Sequence, residues 1–127
     1  MNYELTQRFY FEAAHTLERA GAAGGAAARD ASRRIHGHTY VARVSVGGAP
    51  APVTGMVVDL ALLRAEVARV REQLDHRLLD DVPGLGAPTL ENLCAYIHRA
   101  LVPTGWKVTS VEVAREASGD ACTLRPT

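Results

Sequence analysis

Between Tyr3 and Phe11 the chain alternates, with Tyr3, Leu5, Gln7, Phe9 and Phe11 on one parity and Glu4, Thr6, Arg8 and Tyr10 on the other. A period of two belongs to an extended chain with one buried face, so this stretch predicts a half-buried strand with His15 at or just past its end. Tyr40 to Val46 repeats the pattern: Tyr40, Ala42, Val44 and Val46 share one face, Val41, Arg43 and Ser45 the other, and Gly47-Gly48-Ala49-Pro50-Ala51-Pro52 stops the strand. The period then changes. Leu60, Leu63, Val67, Val70 and Leu74 recur at spacings of three and four, which predicts an amphipathic helix with Asp59 as its N-cap. A turn at Pro83-Gly84-Leu85-Gly86 leads to a second helix capped by Thr89, with Leu90, Leu93, Ile97 and Leu101 on its buried stripe. Val108, Val111 and Val113 predict a third strand running to Glu116, and Ala121 to Leu124 a short fourth. Strand, strand, helix, helix, strand, strand is an α+β order, expected to give a four-stranded antiparallel sheet carrying both helices on one face.

Composition narrows the partners. The 127 residues predict a single domain, 1–127, large enough to bury a core. Fourteen basic and fourteen acidic side chains cancel, so no field for nucleic acid is evident. Cys94 and Cys122 are too few for a disulfide framework, and no apolar run reaches membrane-spanning length or reads as a leader, which predicts a cytoplasmic protein. From Ala20 to Ala28 the chain is almost wholly alanine and glycine, a loop that is either a flap over a site or a permissive insertion.

Three of the five histidines occupy two places, Phe11-Glu12-Ala13-Ala14-His15 and Ile35-His36-Gly37-His38. In an extended segment His36 and His38 point the same way, and His15 from a neighbouring strand completes three nitrogens, a common first shell for a catalytic zinc. Imidazole also suits copper, iron or nickel, and a bare His-Gly-His is equally an ordinary loop. Asp75 and His76, at the end of the first helix, form either a carboxylate-tuned base or a helix-end pair interacting with the helix dipole. Glu116 faces either a pocket or solvent.

Read together, these blocks resemble the 6-pyruvoyltetrahydropterin synthase and 6-carboxytetrahydropterin synthase family. The resemblance rests on Phe11-Glu12-Ala13-Ala14-His15, His36-Gly37-His38, Gly55-Met56-Val57-Val58-Asp59-Leu60, Leu74-Asp75-His76, Pro88-Thr89-Leu90-Glu91-Asn92-Leu93 and Val111-Glu112-Val113-Ala114-Arg115-Glu116, in that order. It implies a tunnelling-fold subunit whose barrel closes by oligomerisation, as a homo-oligomeric trimer or hexamer with sites between subunits. It implies Zn2+ on His15, His36 and His38, a pterin held by Glu116, Glu91 and Thr89, and a proton relay of Asp75 with His76. The implied substrate is dihydroneopterin triphosphate. The implied activity is a lyase of the 6-carboxytetrahydropterin synthase type, feeding queuosine and deazapurine synthesis. The alternatives are 6-pyruvoyltetrahydropterin formation, an aldolase-like cleavage to a hydroxymethylpterin, or pterin binding without catalysis. One position departs from the pattern: where relatives carry a catalytic cysteine, four residues before His36, this chain has Ser32. A hydroxyl is a poor base unless another group takes its proton, so His76 is expected to act as the base.

Overall fold

The alternating N-terminal segment is strand β1, Tyr3–His15, in the computed structural model, which describes residues 2–17, 25–27 and 33–127. It pairs antiparallel along its whole length with β2, His36–Gly48, setting Tyr3 opposite Gly48 and His15 opposite His36. Both strands run further toward the histidines than Phe11 and Tyr40. The inward parity does not stop at those rings: Phe11, Ala13 and His15 continue one face of β1, and Tyr40, His38 and His36 the same face of β2.

The next elements are helix α1, Leu60–Glu72, and strand β3, Arg77–Leu78; then helix α2, Leu90–Leu101, and strands β4, Val108–Arg115, and β5, Asp120–Leu124. The sheet order is β3-β1-β2-β4-β5. The expected four-stranded antiparallel sheet is therefore corrected to a mixed five-stranded one, because β3 joins the free edge of β1 in parallel, opposite Ala13 and Ala14. Two residues are too short to show any period. What recruits them is a backbone clamp just before them, in which the Glu12 N–H donates to Asp75 Oδ1 at 2.9 Å and the His76 N–H donates to the Glu12 carbonyl at 2.6 Å.

Both helices begin where the capping residues place them. Asp59 Oδ1 accepts the Ala61 N–H at 2.9 Å and Thr89 Oγ1 the Asn92 N–H at 3.2 Å, each satisfying a donor that the first helical turn leaves free. Helix α1 packs on β1, burying Leu63, Val67 and Val70; α2 packs on β4 and β5, burying Leu93, Cys94, Ile97 and Leu101. These side chains close one core with Phe11, Tyr40, Ala42, Val44, Val111 and Val113. Phe11 and Tyr40, directly opposite across the strands, stack with ring centroids 5.0 Å apart and form the floor of the histidine end. Truncating a fully buried leucine such as Leu63 to alanine should cost about 2–5 kcal/mol. The Cys94 thiol is a core group: it donates to the Cys122 carbonyl at 3.4 Å, and burial pushes its pKa up to about 12. The Ala20–Ala28 loop, apart from residues 25–27, lies outside the described residues, as does Ser32. Among the described residues no helix is long and apolar enough to cross a membrane.

Candidate metal centre and its surroundings

The cross-strand register makes the cluster. With His15 opposite His36 and Ala13 opposite His38, the three imidazoles occupy adjoining inward positions at one end of the sheet. Ring centroids lie 4.4 Å apart for His15 and His36, 5.0 Å for His15 and His38, and 5.1 Å for His36 and His38. One nitrogen from each falls within 4.8 Å of the others.

Hydrogen bonds decide which nitrogens are available. His15 Nδ1 sits 3.1 Å from the Thr16 carbonyl and His36 Nδ1 2.8 Å from the Arg34 carbonyl; a carbonyl only accepts, so both Nδ1 atoms carry the proton and both Nε2 atoms keep a lone pair. His15 is only 2% exposed, and its Nε2 is buried with no partner among the described residues. A buried, unsatisfied acceptor costs about 1–3 kcal/mol unless something occupies it. Burial lowers the pKa of His15 and of His38, with the Arg115 cation and the neighbouring imidazoles adding to it. Clustered imidazoles with inward lone pairs are the donor set a divalent transition metal requires, so these residues fit one.

Behind His15 a carboxylate braces the backbone. Asp80 Oδ1 accepts the Thr16 N–H at 2.8 Å and Oδ2 accepts the Thr16 hydroxyl. Burial alone would raise the Asp80 pKa, but the two Thr16 donors outweigh it and hold the carboxyl below its ordinary value. Thr16 thus reaches His15 Nδ1 with its carbonyl while being pinned from the other side, which fixes the ring's tautomer and orientation.

Beside the imidazoles lies a cavity of about 180 Å³, lined by His15, Tyr40, Thr89, Leu90, Glu91 and Arg115. Two of the residues singled out as pterin-binding, Thr89 and Glu91, are therefore brought to the histidines; Glu91 is in the first turn of α2, with Thr89 its cap. Glu116 is not brought there. It is exposed and follows the last residue of β4, its carbonyl accepting the Gly119 N–H at 3.2 Å.

Asp75 and His76 flank the opposite side. Glu12, Ala14, Gly37 and Thr39 have the parity opposite to the inward residues, and with His38, His76 and Arg77 they line an open hollow of about 540 Å³. Asp75 Oδ2 lies 2.9 Å from His76 Nδ1 and 3.2 Å from Arg71 Nη2, within ion-pair distance of both. The Glu12 N–H, with His76 and Arg71 behind it, holds the Asp75 carboxyl below its ordinary range despite some burial. His76 itself has φ 58, a left-handed backbone uncommon outside glycine, and a side chain 76% exposed. With Nδ1 committed to Asp75, its Nε2 is the open proton acceptor.

A model of the 6-pyruvoyl tetrahydropterin synthase family matches residues 4–127. The chain belongs to that family. A 6-carboxy-5,6,7,8-tetrahydropterin synthase of Synechocystis sp. is 34% identical over 128 residues, covering 96% of this chain and 93% of that protein. The 6-pyruvoyl tetrahydrobiopterin synthase of Homo sapiens is 42% identical over 66 residues, 49% of this chain and 46% of that one. The structure of Caenorhabditis elegans 6-pyruvoyl tetrahydropterin synthase superposes with a TM-score of 0.80 at 25% identity, covering 100% of this chain and 97% of that one, so the α+β fold with its mixed sheet is the tunnelling fold of 6-pyruvoyl tetrahydropterin synthases.

In this 6-pyruvoyl tetrahydropterin synthase family member, motif reading passed over two site residues. Asp80 sits in an unremarked Leu79-Asp80-Asp81 turn, and only the tertiary approach of that turn to Thr16 shows its use. Arg115 did leave a signal: it shares the parity of Val111 and Val113, so a charge stands where β4 turns inward.

Proposed function

We propose that this protein is a zinc-dependent lyase acting on dihydroneopterin triphosphate, of the 6-carboxytetrahydropterin synthase type that feeds queuosine and related deazapurines. The reading takes the chain as one domain, 1–127, working in the cytoplasm. The observation that carries it is the set of three clustered inward imidazoles, with Nδ1 of His15 and of His36 engaged by backbone carbonyls so that their Nε2 atoms keep lone pairs, in a chain of this family. The Synechocystis sp. relative, aligned over nearly the whole length, favours the carboxy-forming type.

His15, His36 and His38 would hold the zinc. Bound there, the ion supplies Lewis-acid polarisation of side-chain hydroxyl oxygens and makes the adjoining carbon acid easier to deprotonate. His76, held by Asp75, takes that proton at Nε2. Glu91 offers carboxylate oxygens to the pterin's ring N–H and amino donors, the Thr89 hydroxyl adds a neutral contact, and Glu116, exposed in the single chain, would add its carboxylate where another copy meets this end of the sheet. The relay and the imidazoles approach the end of the sheet from opposite faces, and among the described residues β3 and β5 are the edge strands. A trimeric barrel or stacked hexamer would pair those edges and bring the relay of one copy to the metal set of another.

Ser32 at the cysteine position favours a second reading, in which zinc and pterin binding persist but the side chain is cleaved in an aldolase-like way to a hydroxymethylpterin. Incubating the zinc-loaded protein with dihydroneopterin triphosphate and separating products by mass tests both. 6-Carboxytetrahydropterin is expected; another pterin product replaces the first reading with the second, and binding with no turnover makes the protein a pterin carrier.

A further inference from the structure

Arg115 closes β4 on the inward parity, and its nitrogens have three different surroundings. Nη2 donates to Asp120 Oδ2 at 3.1 Å across the β4–β5 hairpin; Nη1 faces His38 Nε2 at 3.5 Å; Nε is buried with no partner among the described residues. The side chain is 25% exposed and lines the 180 Å³ cavity together with His15, Tyr40, Thr89 and Glu91.

A guanidinium is always charged and has no lone pair to give a metal. Beside three nitrogens that hold a dication it is a like charge, and His38 Nε2 cannot serve Arg115 and an ion at once. For metal binding alone the arrangement is unfavourable. Pairing with Asp120 does not account for it either, since that contact engages one nitrogen and leaves the Nη1 and Nε sides directed at the site or unsatisfied. An anion lodged between metal and guanidinium removes both difficulties: its charge is shared by two cations, and its oxygens accept from the donors that lack partners.

The proposed substrate carries such an anion. A reduced pterin ring is neutral near pH 7 and presents N–H donors, which suit the Glu91 carboxylate; the phosphoryl group lies on the side chain whose hydroxyls would approach zinc. We propose that Arg115 binds the phosphoryl group on the side chain of the pterin substrate and so selects phosphorylated over unphosphorylated pterins. The cavity then has a carboxylate wall for the ring and a cationic wall for the phosphate. This inference rests on the proposed function for the identity of the ligand, while the anion site itself is tested without a pterin.

The experiment uses zinc-loaded, full-length protein and titration calorimetry with two probes, inorganic tripolyphosphate and neopterin, at constant ionic strength. Arg115→Met is expected to weaken tripolyphosphate about ten- to a hundredfold while leaving zinc content and neopterin affinity unchanged. Arg115→Lys should fall between, and Arg64→Met, an exposed arginine at the other end of the sheet, should match the parent. In turnover, Arg115→Met should raise KM for dihydroneopterin triphosphate by a similar factor with kcat nearly kept. Unchanged tripolyphosphate affinity in a folded, zinc-loaded Arg115→Met protein overturns the proposal and leaves Arg115 a hairpin ion pair. If that variant does not fold, Asp120→Asn decides: it removes the hairpin partner but keeps the guanidinium, so retained tripolyphosphate binding supports the anion role and lost binding overturns it. A parent that binds tripolyphosphate through Arg115 but never binds neopterin overturns the pterin reading and not the anion site.

Discussion

Two histidine sites meet at the same end of the sheet, and their surroundings are opposite. His15 is buried beside the His36 and His38 rings with its tautomer set by a backbone carbonyl, and its remaining nitrogen has no partner among the described residues. His76 stands almost free in an open hollow, satisfied on one side by Asp75 and held on a left-handed backbone by Glu12. The first site is assembled, its rings set by the strand register and by backbone carbonyls. The second is oriented but uncovered, so it needs another surface to exclude water. Under the proposed function the two would divide the work: the imidazoles around buried His15 would hold the metal, and exposed His76 would keep a proton acceptor reachable.

The largest break in this comparison is His38→Ala. Purified protein should carry about one zinc per chain, and the variant almost none. Metal analysis showing full occupancy in the variant would remove the ligand set. His76→Ala should act the other way round, leaving zinc in place while turnover falls about 10²–10⁴-fold. Zinc loss in that variant, or near-normal turnover, would show that the two sites are not divided as described.

Smaller effects sharpen the contrast. Asp80→Asn disturbs the brace behind Thr16 without touching the imidazoles, and zinc affinity should fall about 10–100-fold as measured by competition with a chelator. An unchanged affinity would leave Thr16 and Asp80 as loop anchors only. Asp75→Asn should be the mildest, about 1 kcal/mol of folding stability at neutral pH. Its pH dependence has a definite sign. The native carboxyl lies below its ordinary value of 3.8, so its contribution is fully present above about pH 4 and is lost as pH falls through the native value. The stability gap between parent and variant, from denaturant unfolding, should therefore shrink as pH falls below 4. A gap that persists at pH 2.5 would mean the charge of Asp75 does not matter to the clamp.

The alternation of Tyr3–Phe11 and Tyr40–Val46, the helical spacing from Leu60 to Leu74 and the Asp59 and Thr89 caps were legible because each is a local pattern, set by periods of two or 3.6 and by the chemistry of a helix start. The histidine set was legible for the same reason: parity places His36 and His38 on one face, and a strand ending at His15 is a natural neighbour. Strand β3 was not legible, since two residues carry no period and the Glu12 clamp that recruits them joins positions far apart in the chain. Nor was Asp80 behind Thr16, or the separation of Asp75 and His76 from the imidazoles onto the other face. What the sequence alone determined is which residues face inward and which could donate to a metal. The tertiary structure alone decided which ring nitrogens stay free, where the second carboxylates stand, and that Arg115 points its charge at the metal set. Those depend on the register between distant segments, which no local period encodes.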